Sequence, residues 1–366
     1  MSKSLDFSEF TSLTKAQWLE KIKRETGVES LEELTTKVFQ NTPIHPLQVV
    51  HAHEAPLPSE KRTHILVHPQ GNITNEKEDN KRIIKALEGG ANGVFLTPSS
   101  KVNWRTLLND IILDYITLYV VTSNQSVCDS LETYIAEAYP DKNPSVFYDC
   151  RGFLHGHERS GCRSGSINVM EHEDIRPAAR LALAIAQVHE LIQNGKPVEE
   201  LWYALPTVGH YFLDIIQIRA LRQMHHFLME TCNLEPTHPD IFVKSRLDNK
   251  STEDEYQNMI KNTAEAMGAL VGGANALCIE PHNTHTKAND PFGLRIARNI
   301  QLILQYEAHI DANIDPAAGS HFFEIQTLDM ATEAWNLFRE IEKNGGYMKM
   351  ANNREILAFI KTHKNA

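Results

Sequence analysis

The sequence predicts a (β/α)8 TIM barrel carrying an N-terminal helical arm, on three observations. Apolar, β-branched runs occur eight times, at residues 64–68, 93–98, 117–123, 146–150, 166–170, 201–205, 240–246 and 275–281. Each is followed by a helical or loop segment, the helical ones at 76–87, 126–139, 174–193, 211–230, 253–270 and 292–306. Such alternation builds a parallel sheet with right-handed crossovers, and eight repeats close it into a barrel. The third observation is length: 366 residues bury one large core with an extension, or two ordinary ones. An open doubly wound sheet is the alternative, although no G-x-G-x-x-G follows an early strand to support it.

Residues 1–58 read as a separate arm and linker. Thr14 ahead of Ala16, Trp18, Leu19 and Ile22 predicts a capped amphipathic helix, and Leu31, Leu34 and Val38 a second. Pro43, Pro46, Pro56 and Pro58 then mark a linker. The barrel is expected over 59–350 and a C-terminal helical tail over 351–366. Within the last barrel unit, Ile296, Ile300, Ile303 and Leu304 recur at helical spacing. Asp315-Pro316 stops that helix, because proline has no N–H and biases the preceding residue away from helical geometry. Gly319-Ser320 turns the chain into a further helix over roughly 328–343, closed by Gly345-Gly346.

Composition narrows the function classes. Thirty-six Lys and Arg stand against 47 Asp and Glu, a net charge of −11 with no basic run, which argues against nucleic-acid binding. No apolar run approaches the length of a membrane span or a signal peptide. Cys128, Cys150, Cys162, Cys232 and Cys278 are scattered, odd in number and without C-x-x-C, which reads as reduced thiols in a cytoplasmic protein.

In a barrel, chemistry belongs at the C-terminal ends of the strands. Those ends offer His68, Thr97, Ser123, Asp149, Asn168, Arg246 and Glu280, a mixed set with no obvious acid–base couple. His51-Ala52-His53 and His155-Gly156-His157 open a metal reading, a metal-dependent barrel hydrolase. The eighth run ends Glu280-Pro281-His282, without the aspartate such sites need. The stretch H-G-H-E-R-S-G-C-R-S-G-S from 155 to 166 would suit either a phosphate cradle or a mobile loop.

The run R-I-A-R-N-I-Q-L-I-L-Q from Arg295, then D-P-A-A-G-S from Asp315, then E-I-E-K-N-G-G from Glu340 resembles the end of the methylmalonyl-CoA mutase barrel domain. The stretch F-L-D-I-I-Q-I-R-A from Phe212 is similar to that family's sixth barrel helix. The resemblance is strong over 253–349, weaker over 166–246 and essentially lost over 51–163. It implies radical chemistry on a CoA thioester whose tail threads the barrel, with adenosylcobalamin held by a separate flavodoxin-like domain. That domain's D-x-H-x-x-G motif is absent here, so neither the domain nor a bound cobalamin is expected in this chain.

The family's contact positions are also altered. Its eighth strand reads G-G-T-Q-S-L-H-T-N, and here Gly272 to Glu280 reads G-G-A-N-A-L-C-I-E. Cys278 stands where the family has its thioester-arm histidine, and Glu280 where it has asparagine. Asn168 lies in the stretch answering to the family's G-Y-H-M, and Arg246 in the shortened seventh strand. With Asn275 these are the degenerate substrate-site positions, and no catalytic or metal-binding residue is assigned. Arg295, Arg298, Asn299, Asp315, Gly319 and Ser320 match the family motif, with structural roles expected; Arg298 and Asp315 could pair. The pattern resembles the small, non-catalytic subunit of heterodimeric mutases. It implies a large catalytic subunit as partner, or a homodimer, with weak acyl-CoA binding at most. An active acyl-CoA mutase barrel using a separate cobalamin-binding chain is the alternative within the family.

Overall fold

The computed structural model describes residues 9, 11, 13–37, 43–44, 46–47, 64–142, 144–149, 162–163, 166–170, 172, 174–198, 201–287 and 289–364. All eight expected strands form. They are β1 (Ile65–Gly71), β2 (Gly93–Leu96), β3 (Thr117–Val121), β4 (Val146–Asp149), β5 (Ser166–Asn168), β6 (Trp202–Pro206), β7 (Asp240–Lys244) and β8 (Ala276–Cys278). Every neighbouring pair is parallel, and β1 lies between β2 and β8, so the first and last strands meet as a barrel requires.

The joint between β4 and β5 is unlike the other seven. Cys162–Arg163, just upstream of β5, pairs with β4, whereas β5 itself pairs with β6. Across the remaining gap, Asn168 Nδ2 donates to Asp149 Oδ2 at 2.7 Å. The barrel is nearly closed, and a side-chain bond spans its seam.

The helices follow from their caps and stripes. In the arm, α1 (Lys15–Thr26) starts with a reciprocal capping box between Thr14 and Gln17 and ends at Gly27, whose φ is +72°. No α1 residue is buried, and Trp18, Leu19 and Ile22 are half-buried. The second expected helix is a single 3-10 turn, Leu31–Leu34, because the chain passes at once into a short strand, Thr36–Lys37, paired with Pro43–Ile44. Val38, Pro56 and Pro58 lie outside the described residues.

Around the barrel run α2 (Glu76–Glu88), the single turn α3 (Trp104–Leu107), α4 (Gln125–Ala138), α5 (Pro177–Gln193), α6 (Tyr211–Thr231), α7 (Glu255–Val271) and α8 (Pro291–Tyr306). A second layer is added by α9 (His321–Lys343), which packs across α5 and α6. Covered on both sides, α5 buries 13 of its 17 residues, which explains its Ala-Leu-Ile composition. The chain then folds back through α10 (Tyr347–Asn352) and α11 (Glu355–Thr362). Ile356 is buried there, and Arg176 N–H donates to His363 O at 2.9 Å, so this tail belongs to the barrel body.

One expectation from the cysteines fails. Cys128, buried on α4, is disulfide-bonded to a partner whose side chain is not among those described, while Cys232 and Cys278 are free. Spacing in sequence carries no signal for such a bond, which depends on the separation of two cysteines in space. Among the described residues no helix is long and apolar enough to cross a membrane.

Candidate functional site: the mouth and axis of the barrel

At the C-terminal mouth the strands deliver charged side chains, and among the described residues Lys244, Arg246 and Lys250 are each matched by a carboxylate. Lys244 at the end of β7 pairs with Glu280 beyond β8 at 2.6 Å, and Glu280 N–H donates to Ser245 Oγ at 2.8 Å. Arg246 forms an ion pair with Asp248 and donates to Val208 O at 2.9 Å. Lys250 is buried against Glu265 at 2.6 Å, and that carboxylate also accepts from Asn249 and the Thr207 hydroxyl. Burial lowers the Lys250 pKa and Glu265 opposes the shift. Across the mouth, Asn168 Oδ1 accepts from Met170 N–H at 3.0 Å while its amide group holds Asp149. A reacting carbonyl needs donors aimed where charge develops. Here the cations are aimed at the chain's own carboxylates.

Beneath the mouth the axis is filled with aromatic rings. Phe95, Tyr119 and Phe147 come from successive strands in register, and Trp202 and Phe242 from the opposite wall. Tyr119 stands 5.0 Å from Phe147, 4.6 Å from Phe242 and 5.7 Å from Trp202, centroid to centroid, and Phe95 lies 5.3 Å from Phe242. All five rings are at most 3% exposed. Ala204 and Ala276 flank Phe242 in register, a small–large–small alternation that lets the rings interdigitate. Gly93 serves the same crowding, since a Cβ there would fall 2.8 Å from Ile65 Cγ2. No residue of this set is charged.

The sequence-selected positions fall in three places. Asn168, Arg246 and Glu280 share the mouth. Cys278 faces the axis, where burial pushes its thiol well above the ordinary range and leaves it unionised. Asn275 sits at the opposite, N-terminal end, where its Oδ1 accepts from Ile241 N–H and from Arg222, both at 2.9 Å. His68 is not at the mouth either: β1 continues to Gly71, and this imidazole is buried on the outer face. Burial, with Arg298 and Arg82 nearby, lowers its pKa to about 4.

The motif residues build the outer shell. Asp315 pairs with Arg219 of α6, not with Arg298, because the Asp315-Pro316 turn lies beside α6 whereas α8 aims Arg298 at α2. Arg219 is 2% exposed; it also binds Glu324 at 2.9 Å and Thr327 at 3.4 Å. Gly319, at φ +77°, donates its N–H to Glu324 Oε1 at 2.9 Å. Arg298 lies so close to Gly89 that a Cβ there would fall 2.5 Å from its guanidinium carbon. Arg295 is exposed over the Phe292 ring at 5.4 Å, Asn299 is half-buried, and Ser320 occupies the N-cap of α9 without a side-chain capping bond. Arg219 is an anchor that the selected sequence positions do not include; its signal is a charge inside the apolar run F-L-D-I-I-Q-I-R-A.

Of the histidines, His51, His53, His155 and His157 lie outside the described residues. Among the described residues no group of three or more His, Cys, Asp or Glu is placed to hold a metal. His225 is buried between Tyr203 OH and Thr237 Oγ1, each at 2.8 Å, and burial lowers its pKa to about 3.

Comparison with known proteins places this architecture. The model of the family described as methylmalonyl-CoA mutase matches residues 173–363. The methylmalonyl-CoA mutase small subunit of Porphyromonas gingivalis is 30% identical over 171 residues, covering 43% of this chain and 27% of the relative. The probable methylmalonyl-CoA mutase small subunit of Mycobacterium tuberculosis H37Rv is 32% identical over 183 residues, covering 47% and 30%. The chain thus spans about a third of the length of the curated relatives it matches. Among solved structures, dihydropteroate synthase from Thermus thermophilus aligns at 16% identity and a TM-score of 0.39, covering 66% of this chain and 94% of that one, too loosely to bear on chemistry. With more than half of its residues inside the family model, and the α6-to-α9 shell built around the motif residues, the chain belongs to the methylmalonyl-CoA mutase family.

Proposed function

We propose that this chain is a small-subunit-type barrel that performs no catalysis itself and supports a large subunit interconverting (R)-methylmalonyl-CoA and succinyl-CoA. The observation that carries the reading is the aromatic axis. In the family the CoA tail threads the barrel, and five packed rings leave that path no room. The matched charges at the mouth support the same reading, because a thioester carbonyl would find no uncommitted cation among those described there. The alternative of an active barrel served by a separate cobalamin chain requires that path to be open.

Adenosylcobalamin does not fit the residues described at the mouth. No D-x-H-x-x-G occurs in the chain, and near the mouth His282 is buried with its ring against Phe292 while His285 contacts Leu247 O. The cofactor belongs to the partner in this reading, and no chemical step is assigned to this barrel. The arm supplies the contact: Trp18, Leu19 and Ile22 form an apolar face on a helix with no buried residue, the composition of an interface anchor.

Co-expression with a cobalamin-loaded mutase large subunit tests the proposal. The two chains should co-elute at equal stoichiometry, and Trp18→Ala should weaken their association at least tenfold while leaving this chain's melting temperature unchanged. Mutase turnover by this chain alone, supplied with a cobalamin-binding protein, would contradict it.

A further inference from the structure

A cavity of about 470 Å³ lies among the outer helices, between α3, the segment that precedes it and α4. That is the size of a small-molecule site. It falls wholly outside residues 173–363, so the family match does not account for it. Buried Val102 and Trp104 form its floor, and the half-buried ring of Tyr134 forms a wall. The floor is fixed: Trp104 Nε1 donates to Ser130 Oγ at 2.9 Å, and that hydroxyl donates to Val127 O at 2.8 Å. The segment before α3 is fixed as well, because Ser99 N–H donates to Asn72 Oδ1 and Asn103 N–H to Glu76 Oε1, both at 3.2 Å. A ligand would therefore meet walls already in place, with little of the chain left to order on binding.

Charge decides what fits. Glu76, Lys101, Arg105 and Glu137 line the cavity. Arg105 and Glu137 pair at 2.7 Å, and Glu76 is engaged by Asn103 N–H. Among the described residues the exposed Lys101 ammonium has no ion-pair partner, and the Tyr134 hydroxyl makes no hydrogen bond. Burial raises the pKa of that hydroxyl, so it keeps its proton and can donate it. We infer that this cavity binds a small aromatic carboxylate, its ring against Trp104 and Tyr134 and its carboxylate between the Lys101 ammonium and the Tyr134 hydroxyl. An anion satisfies both uncommitted groups, with a charge-assisted bond from the ammonium. A cation would be repelled by Lys101 and would find both carboxylates already engaged. A planar ring is favoured over an aliphatic body because aromatic faces stack at offset or edge-on angles on the indole and phenol. Lys101 stands at the solvent-exposed rim, where screening keeps the affinity moderate. The inference does not depend on the large-subunit reading, and no reaction is assigned to the site.

Saturation-transfer NMR and calorimetry of the full chain with benzoate, naphthoate and indoleacetate test the inference. At least one should bind saturably with a dissociation constant below about 1 mM, and its carboxamide should bind at least tenfold more weakly. Lys101→Ala, at an exposed position, should leave the melting temperature unchanged and weaken binding at least tenfold. Tyr134→Phe should weaken it severalfold. Failure of all three acids to saturate by about 10 mM overturns the inference. So does a carboxamide that binds as tightly as its acid, since the cavity would then read only the ring. Binding that Lys101→Ala leaves intact also overturns it, because the anion would then be held elsewhere.

Discussion

On its outer face a buried cation fastens the motif region: Arg219 gathers Asp315, Glu324 and Thr327 and so holds the turn and α9 onto α6. On the inner face, uncharged rings from five strands fill the axis. The helices of the shell pack on the outward residues of the same strands whose inward residues fill the axis, since successive residues point outward and inward. Tyr203, outward, reaches His225, while its neighbours Trp202 and Ala204 line the axis. The comparison teaches that the residues matching the family motif sit on the helices and turn outside the barrel, whereas the axis is set by the inward faces of the strands.

Emptying the axis should have the largest effect. Trp202→Ala removes a fully buried indole and should destabilise the chain by about 3–5 kcal/mol, read by urea unfolding. A loss under about 1 kcal/mol would mean that the axis is loosely packed and could yield to a ligand. Breaking the shell comes next. Arg219→Met leaves Asp315 and Glu324 without their cation and should cost about 3 kcal/mol. If the variant matched the parent in stability, the motif turn would not be fastened through Arg219.

The pH dependence separates groups buried neutral from those that gain charge partners. Burial holds His64 and His68 near pKa 4 and His225 near 3, whereas unfolded histidines titrate near 6.5. Between those values the unfolded chain binds more protons, so this stability is complete above about pH 6.5 and is lost as pH falls toward 4. Asp214 has the opposite sign. Burial raises its carboxyl to about 8, so stability is greatest at low pH and declines from about pH 4 up to pH 8 as the unfolded state ionises. His189, raised by its bond to Glu342, adds stability that is likewise lost at the alkaline side. Calorimetry from pH 4 to 9 should show a maximum near neutrality. Asp214→Asn should reduce the decline above pH 6.5; an unchanged profile would remove Asp214 as its cause. The smallest effect is expected at Arg295, exposed over Phe292, where alanine should cost no more than about 0.5 kcal/mol.

Much of this is legible in the sequence. The eight β-branched runs and the capped helices stand out because period and punctuation are local signals. The interruption of the fifth strand is hidden, because R-S-G-S between Arg163 and Ser166 carries no strand pattern and its two halves pair with different neighbours. The aromatic axis is hidden for another reason. Strands such as Val94-Phe95-Leu96 and Leu118-Tyr119-Val120 are buried on both faces, so no apolar–polar alternation shows which side chain points inward. Proximity within the motif suggests Arg298 as the partner of Asp315, whereas its actual partner lies 96 residues away on α6.

The most direct test of the closed axis is calorimetric titration of the purified chain with methylmalonyl-CoA and with free CoA. The account predicts no saturable binding of either up to millimolar concentration. A stoichiometric site with micromolar affinity, weakened by enlarging an axis residue through Ala204→Phe, would contradict it.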